Sequence, residues 1–370
     1  MNPHLRDDAL IIPSLREQVL LASGTSGVEV AASRQGQYFS APEVDLDLYD
    51  HVILCLSGGK DSIACLVRLI EMGADLRKVE LWHHDVDGAG ASTLMDWPFM
   101  QDYNRKLAEA FKLPLYTSWL EGGFEGEMLK ANGYSRPHKI ETPEGLITLE
   151  RDVARAKPGT RMRFPQQAAS LQTRWCSSSL KIDVGRRALN NQSRFNGARI
   201  LFITGERREE SGNRARYNQF EPHACDRRNG RTARHVDHWR PVLDWSEADV
   251  WAALERYLIV APVPYRLNWT RSSCMACIFN SARIWATIGH YFPEHAHKIA
   301  GYEERFGTTI SRNRINVVDL GKTVAPFEIT DEAALLQAMD TEYRLPVLVP
   351  QGQAWQLPAG AFSAEACGSV

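Results

Sequence analysis

A strand, a glycine pair and a helix follow one another without interruption between His51 and Gly73, and no other stretch constrains the fold so tightly. His51-Val52-Ile53-Leu54-Cys55-Leu56 is an apolar run, and Ser57-Gly58-Gly59-Lys60-Asp61-Ser62 follows it directly. Ile63, Leu66, Val67 and Ile70 then recur at i, i+3, i+4 and i+7, which predicts a helix stopped by Gly73. A glycine-rich turn at a helix start presents backbone N–H groups at the positive end of the helix dipole, a geometry that holds phosphate. Gly58 and Gly59 allow close backbone approach. Lys60 adds a charge, and Ser57 and Ser62 add hydroxyls. The Walker spacing, with four residues between its first glycine and the Gly-Lys pair, is not met.

The strand–helix rhythm continues. Val79–His84 reads as a second strand, Phe99–Phe111 as a helix, Pro114–Thr117 as a third strand and Arg199–Gly205 as another strand ending in a turn. Such alternation predicts an α/β fold: a parallel twisted sheet with helices on both faces and ligands beyond the C-terminal strand ends. Ser246 opens a further helix, with Asp249 in capping-box position. Residues 1–45 read as an N-terminal appendage with a short helix at Leu15–Leu21, and 46–260 as the nucleotide domain. Gly122–Pro165, without clear periodicity, reads as an insertion or flap, and 261–370 as a C-terminal extension ending in a tail or small lid.

Composition excludes some classes. Hydrophobic content of 44% suits a globular chain, and no apolar run approaches the roughly 18 residues of a membrane span. With no signal-peptide pattern, a cytoplasmic location is expected. Seven cysteines without a regular framework argue for reduced thiols rather than a secreted disulfide scaffold. Net charge is −2, yet Arg151–Arg240 holds 20 Lys+Arg against 8 Asp+Glu, a local excess of +12. Such an excess suits a polyanionic ligand, whether nucleotide or nucleic acid, or a solvated face balanced elsewhere.

The Ser57–Ser62 loop resembles the SGGKDS loop of the ATP pyrophosphatases, which cut ATP between its α- and β-phosphates. Thr204-Gly205-Glu206-Arg207-Arg208-Glu209-Glu210-Ser211 is similar to the TGxRxxxS element of the phosphoadenylyl-sulfate (PAPS) reductase-like branch of that superfamily. Pro241-Val242-Leu243-Asp244-Trp245-Ser246-Glu247-Ala248-Asp249-Val250-Trp251 resembles the same branch's P-L-x-D-W-x-x-x-D-V-W block. Together the three motifs span about residues 48–280. The resemblance implies an adenine nucleotide α-hydrolase-like fold, with ATP held by Ser57, Gly58, Gly59, Lys60, Asp61, Ser62, Gly205, Ser211 and Arg214. Lys60, Asp61, Arg207 and Arg208 are the expected catalytic groups, and Lys181 resembles a basic residue facing the nucleotide. Asp61 is the leading Mg²⁺ candidate. Asp85 and Asp87 follow the second strand, where a carboxylate contacts ribose or Mg²⁺, or is simply solvated.

Cys274-Met275-Ala276-Cys277, with Cys176 upstream, resembles the cysteine set that carries an iron–sulfur cluster in some relatives, but Trp175 stands where those have another cysteine. Cys225 or His223 would be a substitute fourth ligand. Iron–sulfur, zinc, or simply buried or redox-active thiols remain open readings. The resemblance extends to the ATP pyrophosphatase component of DNA phosphorothioation systems, which implies DNA as acceptor and a separate cysteine desulfurase as sulfur source. Two alternatives are a thioredoxin-dependent PAPS or adenylyl-sulfate reductase, for which Cys367 is a faint echo of the nucleophile, and a nucleotide-binding module without turnover. A tRNA-thiolating enzyme is a further enzymatic reading.

Overall fold

A computed structural model of the chain describes residues 36–90, 93–272 and 274–363. Eight strands form one sheet: β1 (His51–Cys55), β2 (Val79–Asp85), β3 (Leu115–Leu120), β4 (His138–Thr142), β5 (Gly145–Leu149), β6 (Arg199–Ile203), β7 (Phe220–Pro222) and β8 (His235–Trp239), in the spatial order β5-β4-β3-β2-β1-β6-β8-β7. The central five, β3, β2, β1, β6 and β8, run parallel, and each edge is finished by antiparallel pairing. The chain builds outward from β1 to β3, then returns to place β6 on the other side of β1. The gap above β1 and β6 is therefore the point where strand order reverses, the usual ligand crevice of an open α/β sheet.

The main helices are α1 (Lys60–Glu71), α2 (Met100–Ala110), α3 (Gly123–Met128), α4 (Asp183–Asn190), α5 (Glu247–Arg256), α6 (Ala282–Tyr291) and α7 (Pro293–Phe306). Because successive strand side chains point to opposite faces, β1 feeds two cores. Val52 and Leu54 pack with Ile63, Leu66 and Val67 of α1, whereas Ile53 packs with Trp82, Phe202 and Leu189 of α4. The α1 apolar stripe and its stop follow the sequence pattern, with Met72 as C-cap and Gly73 at φ +72°. Ser246 caps α5 in a full capping box: its Oγ accepts from the Asp249 amide at 3.1 Å, and Asp249 Oδ2 accepts from the Ser246 amide at 2.8 Å.

Two expectations are refined. Of the insertion and flap readings of residues 122–165, the structure holds an insertion with its own elements, α3 and the β4–β5 hairpin, which lengthens the sheet beyond β3. Their signal was faint because His138–Thr142 alternates buried and partly exposed positions with a single aliphatic residue, Ile140, and β5 is largely exposed. Where a tail or small lid was expected, residues 330–363 form a packed strap. Tyr343 is fully buried against Phe99 and Tyr103, and the Val349 amide bonds the Leu258 carbonyl at 2.8 Å. Within 261–363, Val263, Tyr265, Trp269 and Met275 join the same hydrophobic cluster as α1. At the other end Tyr38 bridges to Phe220 beside β7. The expected helix at Leu15–Leu21 and the thiol of Cys367 lie outside the described residues.

Candidate nucleotide site

The glycine loop sits where β1 ends and α1 begins, at the strand-order reversal. Gly58 has φ +77°, open to glycine but strained for other residues, and Met100 of α2 packs directly onto it. The loop is bonded to itself. Ser57 Oγ lies 3.2 Å from Ser62 Oγ, the Gly59 amide points at Ser57 Oγ at 3.4 Å, and Ser62 Oγ donates to the Gly59 carbonyl at 2.8 Å.

Gly205 brings the second motif onto the first. A Cβ on Gly205 would fall 2.7 Å from the Asp61 carbonyl carbon and 2.7 Å from the Ser62 amide nitrogen. Only a residue without a side chain lets the loop after β6 lie against the first turn of α1. Arg207 then reaches across: its Nε donates to Asp61 Oδ1 at 2.5 Å and its Nη1 to Glu209 Oε2 at 2.7 Å.

The third motif closes the pocket around Lys60, which is only 3% exposed. Its ammonium lies 3.5 Å from Asp61 Oδ2, 3.7 Å from Glu247 Oε1 and 3.5 Å from the Thr270 carbonyl. The Tyr265 and Trp251 rings stand 5.3 and 5.9 Å from it, near enough for cation–π attraction. The Tyr265 hydroxyl accepts from the Lys60 amide at 3.0 Å. Burial opposes both charges of the pair, and pairing overcomes it. Lys60 and Arg207 hold the Asp61 carboxyl below its ordinary range, while Asp61 leads the groups that raise the Lys60 ammonium.

Glu247, Trp251 and Tyr265 were not singled out from the sequence as site residues. Glu247 and Trp251 lay within the third motif, so their positions were legible even though their roles were not. Tyr265 carried no signal.

Other expected site residues are engaged in contacts within the protein. Arg208 pairs with Asp244, donates to the carbonyls of Ala215 at 3.0 Å and Tyr217 at 2.8 Å, and lies over the Phe39 ring, so its guanidinium is occupied. Arg214 pairs with Glu210, and Ser211 Oγ accepts from the Arg214 amide at 3.3 Å, closing that turn. Asp85 Oδ1 accepts from the amides of Asp87 and Gly88 at 3.0 and 2.9 Å.

Beyond Asp85 opens a cavity of about 400 Å³ lined by residues including Asp85, Asp87, Asp96, Trp97 and Met100. Asp87 Oδ2 accepts two backbone bonds, from Met95 at 2.9 Å and Asp96 at 2.8 Å, while its Oδ1 is buried without a partner. Burial pushes the Asp87 carboxyl up to about 8.

Among the described residues no group of three or more His, Cys, Asp or Glu could hold a metal ion. The chain brings Cys176, Cys274 and Cys277 into one electrostatic neighbourhood with Lys181, on the π turn (Ser178–Ile182) that leads into α4. An ammonium among three sulfurs is a poor companion for a cation. Burial pushes the Cys176 and Cys274 thiols up, with Lys181 partly offsetting it. Cys225 does not join them: it lies beside Asn190 at the far end of α4, its sulfur 3.6 Å from that amide nitrogen. For Mg²⁺ the donor set fits a different arrangement, since Asp61 supplies one carboxylate and Mg²⁺ usually takes one or two alongside substrate phosphates.

No protein-family model matches the chain. An uncharacterized 37.8 kDa protein of Escherichia phage 186 is 30% identical over 141 residues, which is 38% of this chain and 39% of that protein. The chain thus matches well under half of that relative's length. Candida glabrata FMN adenylyltransferase in complex with ATP is 10% identical, with 71% of this chain and 60% of that one covered at a TM-score of 0.30. The PAPS reductase of Candida auris, a phosphate complex, is 14% identical, with 70% and 91% covered at a TM-score of 0.30. No helix among the described residues is long and apolar enough to cross a membrane. The fold itself, a mostly parallel eight-stranded α/β sheet, rests on the strand pairing described above.

Proposed function

We propose that this chain is an ATP pyrophosphatase that transfers the adenylyl group of ATP to an acceptor oxygen and releases pyrophosphate. The observation that carries this reading is the fit of Gly205 against the Asp61–Ser62 backbone. Through it, two loops far apart in sequence form one crevice around a buried lysine. Amides of the Ser57–Ser62 loop would hold the β- and γ-phosphates, with Lys60 neutralising charge that develops on the leaving pyrophosphate. Arg207, once a triphosphate competes for it, would turn from Asp61 toward the α-phosphate. Asp61 would then be released to hold Mg²⁺, which when bound supplies charge stabilisation on the phosphate oxygens. The neighbouring cavity of about 400 Å³ is within the usual range for small ligands and would take the nucleoside, near Asp85.

In this reading Lys181 faces the nucleotide end of the crevice, and Gly205, Ser211 and Arg214 shape its second wall. A nucleic acid is the acceptor class favoured by the arginine-rich segment. Its finest form is sulfur insertion into DNA with a cysteine desulfurase as partner, a form that rests on the motif resemblance alone.

Incubation with ATP and Mg²⁺ should release pyrophosphate and AMP, and Lys60→Ala or Asp61→Ala should lower the rate on the order of 100-fold. Sulfite release from PAPS with thioredoxin, in the absence of any pyrophosphate release from ATP, would overturn the reading in favour of a reductase.

A further inference from the structure

The C-terminal strand ends also carry polar side chains on the sheet face away from α1, and the ATP loop does not use them. On β2 and β3, His84 Nδ1 and Ser118 Oγ are 2.8 Å apart, and His84 Nε2 lies 4.0 Å from Cys55 Sγ of β1. Past β1 the row continues through Thr204, Glu206, His238 and Arg240.

The proton order of that second half can be deduced. A guanidinium only donates, and Arg240 Nη2 lies 3.1 Å from His238 Nδ1, so Nδ1 accepts. The neutral ring then carries its proton on Nε2, 2.6 Å from Thr204 Oγ1. Thr204 accepts there and sends its own hydroxyl proton to Glu206 Oε2 at 2.5 Å. Arg240 closes the loop, with Nε 3.5 Å from Glu206 Oε2 and Nη1 donating to Glu221 of β7 at 2.9 Å.

The surroundings keep this order. Burial, then Arg240, push the His238 imidazole well below its ordinary range, and burial brings neighbouring His223 to about 4, so both rings stay neutral near pH 7. Burial and then Glu206 push the Cys55 and Cys65 thiols up, so neither competes as an anion. Glu206 Oε1 makes no hydrogen bond among the described residues, and the side chain is 24% exposed. It sits one residue beyond Gly205, at the rim of the crevice.

The geometry points to Glu206 as the group that receives the acceptor, aimed by the Arg240–His238–Thr204 chain to accept a proton from a hydroxyl, amide or base N–H as that atom attacks the α-phosphorus of ATP. This rests on the adenylyl-transfer reading and narrows it. The bond from acceptor to phosphorus forms, the bridging Pα–O bond breaks with its electron pair leaving on pyrophosphate, and the acceptor proton passes to Glu206 and then to water. A phosphodiester brings charge and no proton. Arg208 is paired with Asp244, Arg214 with Glu210, and Arg240 with Glu221 and with Glu206 itself. Beside Glu206 a phosphodiester would therefore be repelled, so the inference keeps the adenylyl-transfer half of that reading and departs from its DNA-backbone form. Glu206 is the catalytic residue of this proposal, and Thr204 and His238 are positioning residues.

The test uses the full chain with ATP and Mg²⁺, measuring pyrophosphate in water alone, with hydroxylamine as a small N–H and O–H nucleophile, and with duplex DNA. Hydroxylamine should accelerate release and duplex DNA should not. Glu206→Gln should lower the hydroxylamine-dependent rate on the order of 100-fold, while binding of a fluorescent ATP analogue persists. Thr204→Val should lose most of the same rate and Thr204→Ser should keep it, a rescue that a purely structural role would not produce. If hydroxylamine has no effect on the wild type, if duplex DNA drives release in its place, or if Glu206→Gln retains the rate, the inference is wrong while the ATP reading stands. Failure of the wild type to bind the analogue or cleave ATP at all removes both.

Discussion

Lys60 keeps its charge at a depth where burial works against it, because Asp61 and Glu247 flank it and two aromatic rings face it. Such a group is costly to leave unbalanced, and under the proposed function an anion would take over from Asp61. Arg207 is specific to this arrangement, since it donates from Nε to Asp61 and from Nη1 to Glu209 at once. A lysine offers one ammonium where that fork is needed. Arg207→Lys is therefore expected to lower pyrophosphate release on the order of 10-fold with little change in melting temperature, and equal losses in both would contradict the assigned role. Gly205→Ala should act differently. Its Cβ would press on the α1 backbone at 2.7 Å, so α1 or the second loop must shift. The expected outcome is a loss of about 1–3 kcal/mol in stability, typical of overpacking, together with weaker ATP-analogue binding. Urea unfolding and a binding titration on the same preparation check both halves.

Elements differ in how much of themselves they showed in the chain. α1 and α5 were legible because a buried stripe and a cap each leave a periodic or paired signature: Ile63, Leu66, Val67 and Ile70 in one, Ser246 with Asp249 in the other. The hairpin of β4 and β5 was not, because an edge pair with one wet side needs few apolar residues. At the site, the two loops were legible from glycine and charge patterns. The wall supplied by Tyr265 and the Thr270 carbonyl was not, since packing from a distant segment leaves no local pattern. The turn between β2 and α2 hides another feature of this kind. Asp87 is 3% exposed, with one oxygen bonded to two amides and the other unpartnered. Its carboxyl is pushed up to about 8, against roughly 3.9 in an unfolded chain. Between those values the unfolded chain gives up the proton and the folded one keeps it. Stability from this group is thus intact below about pH 4 and declines as pH rises toward 8. Burial raises Asp96 as well, with Lys181 opposing, so it acts in the same direction. Asp87→Asn retains an acceptor for the two amides and does not titrate. The variant should match wild type near pH 4 and exceed it at pH 8 by on the order of 5 kcal/mol. Urea unfolding at the two pH values decides it, and an equal difference at both would rule out the titration.

At the scale of the whole molecule, the excess of +12 between residues 151 and 240 is partly spent inside the protein. Arg161 pairs with Glu127, Arg194 with Glu80, Arg207 with Asp61 and Arg208 with Asp244, all acids from outside that segment. Charge that looked available for a polyanion in the sequence therefore also ties the sheet's two halves together, which no count along the chain can reveal. The C-terminal strap does similar work with apolar groups. Tyr343 fills a fully buried place between Phe99 and Tyr103, with ring centroids 5.5 and 4.9 Å away, and its strap neighbour Trp355 donates from Nε1 to the Ile259 carbonyl at 2.8 Å. The Tyr343 contacts fasten residues far along the chain to α2, whose Met100 packs on Gly58 of the glycine loop. Removing the ring should therefore reach the loop. Tyr343→Ala is expected to cost about 3–5 kcal/mol, as for other buried aromatics, and to weaken ATP-analogue binding by loosening α2. Tyr343→Phe separates packing from polarity. The Tyr343 hydroxyl is buried without a partner, so its loss should leave stability unchanged or raise it slightly. Denaturant unfolding of the two variants gives the answer: a Phe variant as weak as the Ala variant would mean that the hydroxyl, not the ring, fastens the strap.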